Sequence, residues 1–298
     1  MTIMKNLISV YITTQNRPML LQRALISLLQ QTYRNFEVLV CNDASDEKYR
    51  SEYEKVINRF QNSFIRLVYI YNESKMGACA SRNRLIKESK GEYITGLDDD
   101  DFFFPRRLET FITFPNLHKY SCITTAVTGH ENYKVHKINH DGIEIDFNQM
   151  KNGNKMGNQV FVERDKLIHC GMFDEEMPAW QDYDTWFRLI QRFGTAYKIS
   201  QPSMYLDTEH SNIRISTSSK AYIGYKKFVA KHSSSLTGKN LKNLRYNDLL
   251  NRKQYIDLCQ KELLCDIPLF FRVFKSYLVY RFPNLFSIYQ KLMSSKLR

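Results

Sequence analysis

Four consecutive carboxylates, Asp98-Asp99-Asp100-Asp101, run straight into Phe102-Phe103-Phe104-Pro105. Carboxylates this close raise one another's pKa and repel unless a cation or hydrogen-bond donors sit among them. A solvated acidic turn would not need the aromatics. The pairing of charge with grease therefore predicts carboxylates held at a fixed edge of the core, with a cation or donors among them. Asp43 is a second acid that closes an apolar run, and Gln181-Asp182-Tyr183-Asp184 brings two more to the head of an apolar stripe. The six cysteines are scattered, with no C-x-x-C pair and no His-Cys spacing suited to zinc. Reduced, cytosolic thiols are the expectation.

The elements that must position these acids follow from the hydrophobic pattern. Leu7 to Ile12 is a β-prone run that stops at the turn Thr13-Thr14-Gln15-Asn16-Arg17-Pro18. Pro18 suits a first helical turn, and Leu20, Leu21, Ala24, Leu25, Leu28 and Leu29 repeat at helical spacing behind it. Phe36 to Cys41 is the next strand, so strand, helix, strand predicts parallel pairing with a right-handed crossover. The alternation continues with a helix over 48–59, a strand over 65–70, a helix from Gly77 through Lys87 and a strand over 92–97. Asp43 and Asp98 to Asp101 then stand at the carboxyl ends of strands, where open α/β sheets bind ligands. After Pro105 a helix over 106–113 leads into a loop-rich, β-containing stretch to about Phe161. Asp182 reads as the N-cap of a helix whose stripe is Trp186, Leu189, Ile190 and Phe193, closed by Gly194.

The chain has 298 residues and 43% hydrophobic content, enough for one large α/β domain or two smaller ones. Its net charge of +12 is placed unevenly: residues 220–298 hold sixteen Lys or Arg against four acids, and the first 219 residues are neutral. No apolar run is long enough to span a bilayer, and the N-terminus turns polar too soon for a signal peptide. An intracellular protein is expected.

Taken in order, ISVYITTQNRP, QTYRNFEVLVCNDASD, GACASRNRLI, GEYITGLDDDDFFFPRRLE and QDYDTWFRL resemble family 2 glycosyltransferases of the GT-A fold, over roughly the first 215 residues. Within that family the pieces look most like bacterial exopolysaccharide and O-antigen transferases, the colanic acid type in particular. The resemblance implies an α/β, Rossmann-like, mixed and mostly parallel sheet flanked by helices, with a C-terminal helical extension. It implies a catalytic domain over 1–218, divided into a nucleotide-sugar half (1–101) and an acceptor half (102–218), and a basic amphipathic helical region over 219–298. It also implies transfer of a hexose, most simply from a UDP-sugar, to a hydroxyl of a glycan linked to undecaprenyl pyrophosphate, with inversion.

The same resemblance assigns roles. Asp43 would accept from the base ring, with Thr13, Asn16 and Arg17 nearby. Arg82 and Asn83 would serve the donor site. The acidic run matches the family's Asp-x-Asp motif, with Asp98 and Asp99 toward the donor and Asp100 on a Mn²⁺ or Mg²⁺ ion; an unbroken run of four leaves its register open. His210 would stand near the metal. Asp182 would be the general base that takes the acceptor's proton, with its capping role as the competing reading. Trp180, Asp184, Asn158 and Gln159 would face the acceptor.

The basic tail interleaves Leu269, Phe270, Phe271, Val273, Phe274, Tyr277, Leu278, Val279 and Tyr280 with Arg272, Lys275 and Arg281, and a second apolar-basic piece runs from Leu285 to Leu297. That composition suits helices lying in an anionic membrane interface, and it equally suits helices packed on the domain with basic faces in water. Nucleic acid is not the expected partner, since no recognised module appears. The expected location is the cytoplasmic face of the bacterial inner membrane. Two rivals are a sugar-nucleotide nucleotidyltransferase, which would show a Gly-rich N-terminal loop that TTQNRP lacks, and a sugar-nucleotide-binding protein without catalysis.

Overall fold

The computed structural model describes residues 4–131, 133–134, 137–207, 219–252 and 267–282. Its first half alternates as the pattern requires: β1 (Met4–Thr14), α1 (Pro18–Leu29), β2 (Phe36–Asn42), α2 (Arg50–Phe60), β3 (Leu67–Tyr71), α3 (Ala78–Glu88) and β4 (Gly91–Gly96). β2 and β4 flank β1 in parallel, and β3 adds parallel to β2. Every residue of β2 is buried, as a strand covered on both faces requires. Leu21, Ala24, Leu25 and Leu28 of α1 join Ile8, Val10, Ile12, Val38 and Val40 in the core.

The second half is less regular: β5 (Phe102–Phe103), α4 (Arg107–Ile112), β6 (Ile123–Thr128), β7 (Gly142–Ile145), α5 (Phe147–Met150), β8 (Phe161–Glu163), α6 (Arg164–His169), α7 (Gln181–Phe193) and β9 (Ala196–Tyr205). β8 runs antiparallel to β4 and β6, while β9 lies parallel to β6. Among the described residues the nine strands form one sheet in the order β3-β2-β1-β4-β8-β6-β9-β5, with β7 paired to β9. The fold is thus a mixed, mostly parallel sheet flanked by helices.

The chain divides into two compact units, one of Met1–Met177 with Gln181–Ser211 and one of Pro178–Trp180 with Asn212–Arg298. In the second, α8 (Ser219–Lys231), α9 (Gly238–Asn251) and α10 (Ile267–Arg281) follow one another. Leu249, Leu269 and Val273 form its small core. The piece from Leu285 to Leu297 lies outside the described residues, and among those described no helix is long and apolar enough to cross a membrane.

The phenylalanine run explains how the acids are held. Phe102 pairs with Tyr205 across β5 and β9 and stacks on its ring at 4.6 Å. Phe103 is 1% exposed, and the fully buried Arg107 guanidinium lies 4.5 Å from its ring and 4.6 Å from that of Phe111. Arg107 donates to Thr125 Oγ1 and Ser203 Oγ; burial pushes its pKa down to about 9, against the pull of Asp101. The grease is a seat for a buried cation beside the acidic run. Phe103→Ala is expected to cost about 3–5 kcal/mol, read as a lower urea midpoint at unchanged slope. A loss below about 1 kcal/mol would show that Phe103 does not anchor this edge.

Candidate active site

The four aspartates alternate. Asp98 and Asp100 have side chains 27% and 29% exposed, while Asp99 is 0% exposed and Asp101 is 2% exposed. The two acids that reach the cleft are therefore two residues apart, the spacing of an Asp-x-Asp pair. Arg17 clamps the run from the β1 turn: Nε donates to Asp99 Oδ2 at 3.1 Å, Nη2 pairs with Asp99 Oδ1 at 2.5 Å, and Nη1 donates to Asp100 Oδ2 at 3.1 Å. Burial pushes the Asp99 carboxyl up to about 7 against the Arg17 charge. Burial likewise raises Asp101, which accepts from the Asp207 backbone N–H and from Asn158.

Asp98 gathers a second set of partners. Its Oδ1 accepts from Arg82 Nη2 at 3.1 Å and Gln159 Nε2 at 3.0 Å, and its Oδ2 accepts from Asn158 Nδ2 at 3.0 Å. Gly96, two residues earlier, makes this approach possible. A Cβ there would lie 1.9 Å from Gln159 Oε1 and 2.6 Å from the Tyr11 ring, so no other residue fits without moving them. Tyr11 in turn donates its hydroxyl to Gln159 Oε1 at 3.2 Å.

Asp182 comes to the same place from α7. The helix starts at Gln181, so Asp182 lies in the first turn and is not the cap that the pattern suggested. Its Oδ1 accepts from Arg82 Nη1 at 3.3 Å, and the same nitrogen donates to Gln181 Oε1. The carboxyl is pushed up to about 7 by burial and by Asp98, with Arg82 opposing. A carboxylate in that range at a helix start is poised to accept a proton near neutral pH.

Several expected site residues also hold the surrounding structure together. Asp43 Oδ1 accepts from Asn72 Nδ2 and the Met76 N–H, and its Oδ2 from the Gly77 N–H, so its carboxylate anchors the loop into α3. Burial raises its pKa, and these bonds outweigh burial and hold it below the usual range. Asp99, expected on the donor, is locked inside by Arg17. Asn83 grips Phe173, donating to its carbonyl at 2.8 Å and accepting from its N–H at 2.9 Å, and also meets Glu175. Asp184, expected on the acceptor, is fully buried and paired with Arg188 at 2.8 Å along the helix. Trp180 packs on Tyr225 and Phe228 in the second unit, with ring centroids 5.5 Å apart in both cases. His210 lies outside the described residues.

At the strand ends, Thr13 is half-buried in register with Cys41. Asn16, in a left-handed conformation (φ 58°), accepts from the Asp46 N–H through its side chain, and its own backbone N–H donates to Ser45 Oγ. Beside this turn a cavity of about 290 Å³ is lined by Asn42, Asp46, Arg50, Tyr69 and Tyr71 among others. Two residues of the site escaped the sequence pattern: Arg23 donates to the Asp100 carbonyl and pairs with Asp207 at 2.9 Å. Asp207 stands just past the end of β9, a strand without clear alternation, and Arg23 reads as an ordinary helical residue.

Six carboxylates (Asp98 to Asp101, Asp182 and Asp207) thus meet four guanidinium groups, those of Arg17, Arg23, Arg82 and Arg107. The hard oxygen donors of the two part-exposed acids, Asp98 and Asp100, fit a divalent cation such as Mg²⁺ or Mn²⁺. Asp100 is the residue that would hold it. Among the described residues no three His, Cys, Asp or Glu side chains converge as a ready metal cage.

A strand-end acidic site on this sheet defines the class: the fold is that of GT-A-type glycosyltransferases. In complex with UDP-GlcNAc, residues 1–349 of TarS from S. aureus match it with a TM-score of 0.66 at 17% identity, over 93% of this chain and 81% of that one. The mannosyltransferase PcManGT from Pyrobaculum calidifontis, in complex with GDP-Man and Mn²⁺, matches with a TM-score of 0.50 at 12% identity, over 93% and 87%. The sequence pattern of glycosyl transferase family 2 fits residues 9–174. The putative colanic acid biosynthesis glycosyl transferase WcaA of Escherichia coli (strain K12) is 34% identical over 241 residues, covering 77% of this chain and 83% of that protein. The chain belongs to glycosyl transferase family 2.

Proposed function

We propose that the protein is an inverting, metal-dependent hexosyltransferase that uses a nucleotide-sugar, most simply a UDP-sugar, and a hydroxyl of a lipid-linked glycan in bacterial surface polysaccharide synthesis. One observation carries this reading: Arg82 brings Asp182 and Asp98 to opposite sides of a single guanidinium. A proton acceptor and a sugar-facing carboxylate thereby share one cleft. Asp98 and Asn158 orient the donor sugar. Asp182 Oδ1 is held by Arg82, and Oδ2 takes the acceptor hydroxyl's proton as that oxygen attacks the anomeric carbon. The nucleotide lies along the ends of β1 to β3, by Thr13, Asn16 and Arg17. A cation at Asp100 would neutralise charge on the departing diphosphate.

Donor identity is tested by thermal shift across nucleotide-sugars with Mn²⁺ present. At a hundredfold excess over Kd the true donor is expected to raise the Tm by about 5–10 °C. No shift with any nucleotide-sugar would count against the reading.

A lipid-linked acceptor, undecaprenyl pyrophosphate being the simplest anchor, would put the enzyme on the cytoplasmic face of the inner membrane. Support comes from α10 and the residue that follows it: Ile267, Phe271, Phe274 and Leu278 are 64%, 62%, 38% and 40% exposed at helical spacing, and Phe282 just beyond is 45% exposed. Leu269 and Val273 point the other way, into the core, and Lys275 and Arg281 supply positive charge. We expect salt-sensitive cosedimentation with anionic vesicles, lost in Phe271→Glu/Phe274→Glu. Equal binding to neutral vesicles, or none, would remove the membrane from the proposal.

A further inference from the structure

We propose that Arg82 is a positioning residue that holds the base Asp182 in its working ionisation state, and that it does not reach the donor phosphates. This inference rests on the proposed role of Asp182. The Arg82 side chain is 9% exposed, and among the described residues its guanidinium donates to Asp182, Gln181 and Asp98. Its guanidinium lies 5.1 Å from the Phe173 ring. That ring is fixed in turn by Asn83 through the backbone, by Trp186 of α7 at 5.7 Å and by Tyr11 of β1 at 6.3 Å. A planar fork on an aromatic seat keeps one orientation, which lysine does not reproduce.

The two acids depend on Arg82 unequally. Asp98 also accepts from Asn158 and Gln159, so it keeps two donors if Arg82 is lost. Among the described residues, the charged and titratable groups that act on Asp182 are Arg82 and Cys79 from α3, Asp98 beyond β4 and Tyr11 from β1. Arg82 is the cation among them. Without it, Asp182 faces Asp98 with no opposing charge, and protonation is favoured. Loss of Arg82 should therefore fall on proton transfer far more than on donor binding.

The test is the pH profile of kcat in wild type, Arg82→Met and Arg82→Lys. Turnover needs ionised Asp182, so the wild-type rate falls as pH drops below about 7. In Arg82→Met this acidic limb is expected to move to higher pH by about 1–3, the amount by which an adjacent arginine moves a carboxylate. At a fixed pH below the displaced limb, kcat then falls about ten-fold for every pH unit the limb has moved, while donor KM changes less than about three-fold. Arg82→Lys keeps the charge without the fork and is expected between the two. A folded Arg82→Met with the wild-type limb overturns the inference, as does a rise in donor KM that exceeds the fall in kcat. If Arg82→Met does not fold, a wild-type limb and kcat in Arg82→Lys overturn it equally. Absence of transfer by the wild type would instead count against the function itself.

Discussion

Asp182→Asn is expected to lower kcat by about 10²–10⁴-fold, the usual contribution of a positioned proton acceptor. The carboxamide is nearly isosteric, so Arg82 can still donate to the retained oxygen, and the fold should survive. What disappears is the group that takes the hydroxyl proton. Because Asp182 belongs to the α7 side of the cleft and Asp98 and Asp100 to the end of β4, donor binding should stay within about three-fold of wild type. The fall then lies in kcat, as for an interaction made only in the transition state. A variant that turned over normally would leave Asp182 as a residue of the helix start and nothing more.

Asp100→Ala should give the second largest effect. Its side chain is 29% exposed and its carboxylate meets Arg17, so its removal leaves the buried pair of Asp99 and Asp101 in place. A divalent cation on a departing diphosphate is worth several kcal/mol, which corresponds to about 10²–10³-fold in rate. The dependence on Mn²⁺ should flatten as well. Wild type is expected to gain both donor affinity and turnover as Mn²⁺ is added and to lose them with chelator. Asp100→Ala should respond to neither addition. If the variant kept the full metal response, the cation would belong elsewhere.

Much of the site was legible because it lies at strand ends, and strand ends are visible in sequence. The run from Leu7 to Ile12, the helix behind Pro18 and the strand from Phe36 to Cys41 each carry a clean period, and together they put Asp98 to Asp101 at a sheet edge. The aromatics after the acids also announced an anchored segment. What the pattern could not show was partnership across long sequence distances. Asp43 reads as a strand-end acid; its partners within the chain, Asn72, Met76 and Gly77, lie about thirty residues on and are joined to it only by the fold. Asp184 shares a motif with Asp182, yet two positions along a helix turn it inward to Arg188. β9 carried no clear alternation in AYKISQPSMY, so Asp207 and its pairing with Arg23 went unseen. Within the four aspartates the fold adds an alternation of exposure that the run itself could not show: Asp98 and Asp100 are part-exposed, Asp99 and Asp101 buried.

Movement of a sugar from a nucleotide to a hydroxyl is the central claim, and its most direct measurement is ³¹P NMR of the full chain with Mn²⁺, a matched nucleotide-sugar and a glycan acceptor. The diphosphate signals of the sugar nucleotide are expected to give way to those of the free nucleoside diphosphate, in step with glycoside formation, and Asp182→Asn should stop both. Pyrophosphate appearing from a nucleoside triphosphate and a sugar 1-phosphate, with no nucleoside diphosphate released from any nucleotide-sugar, would contradict it.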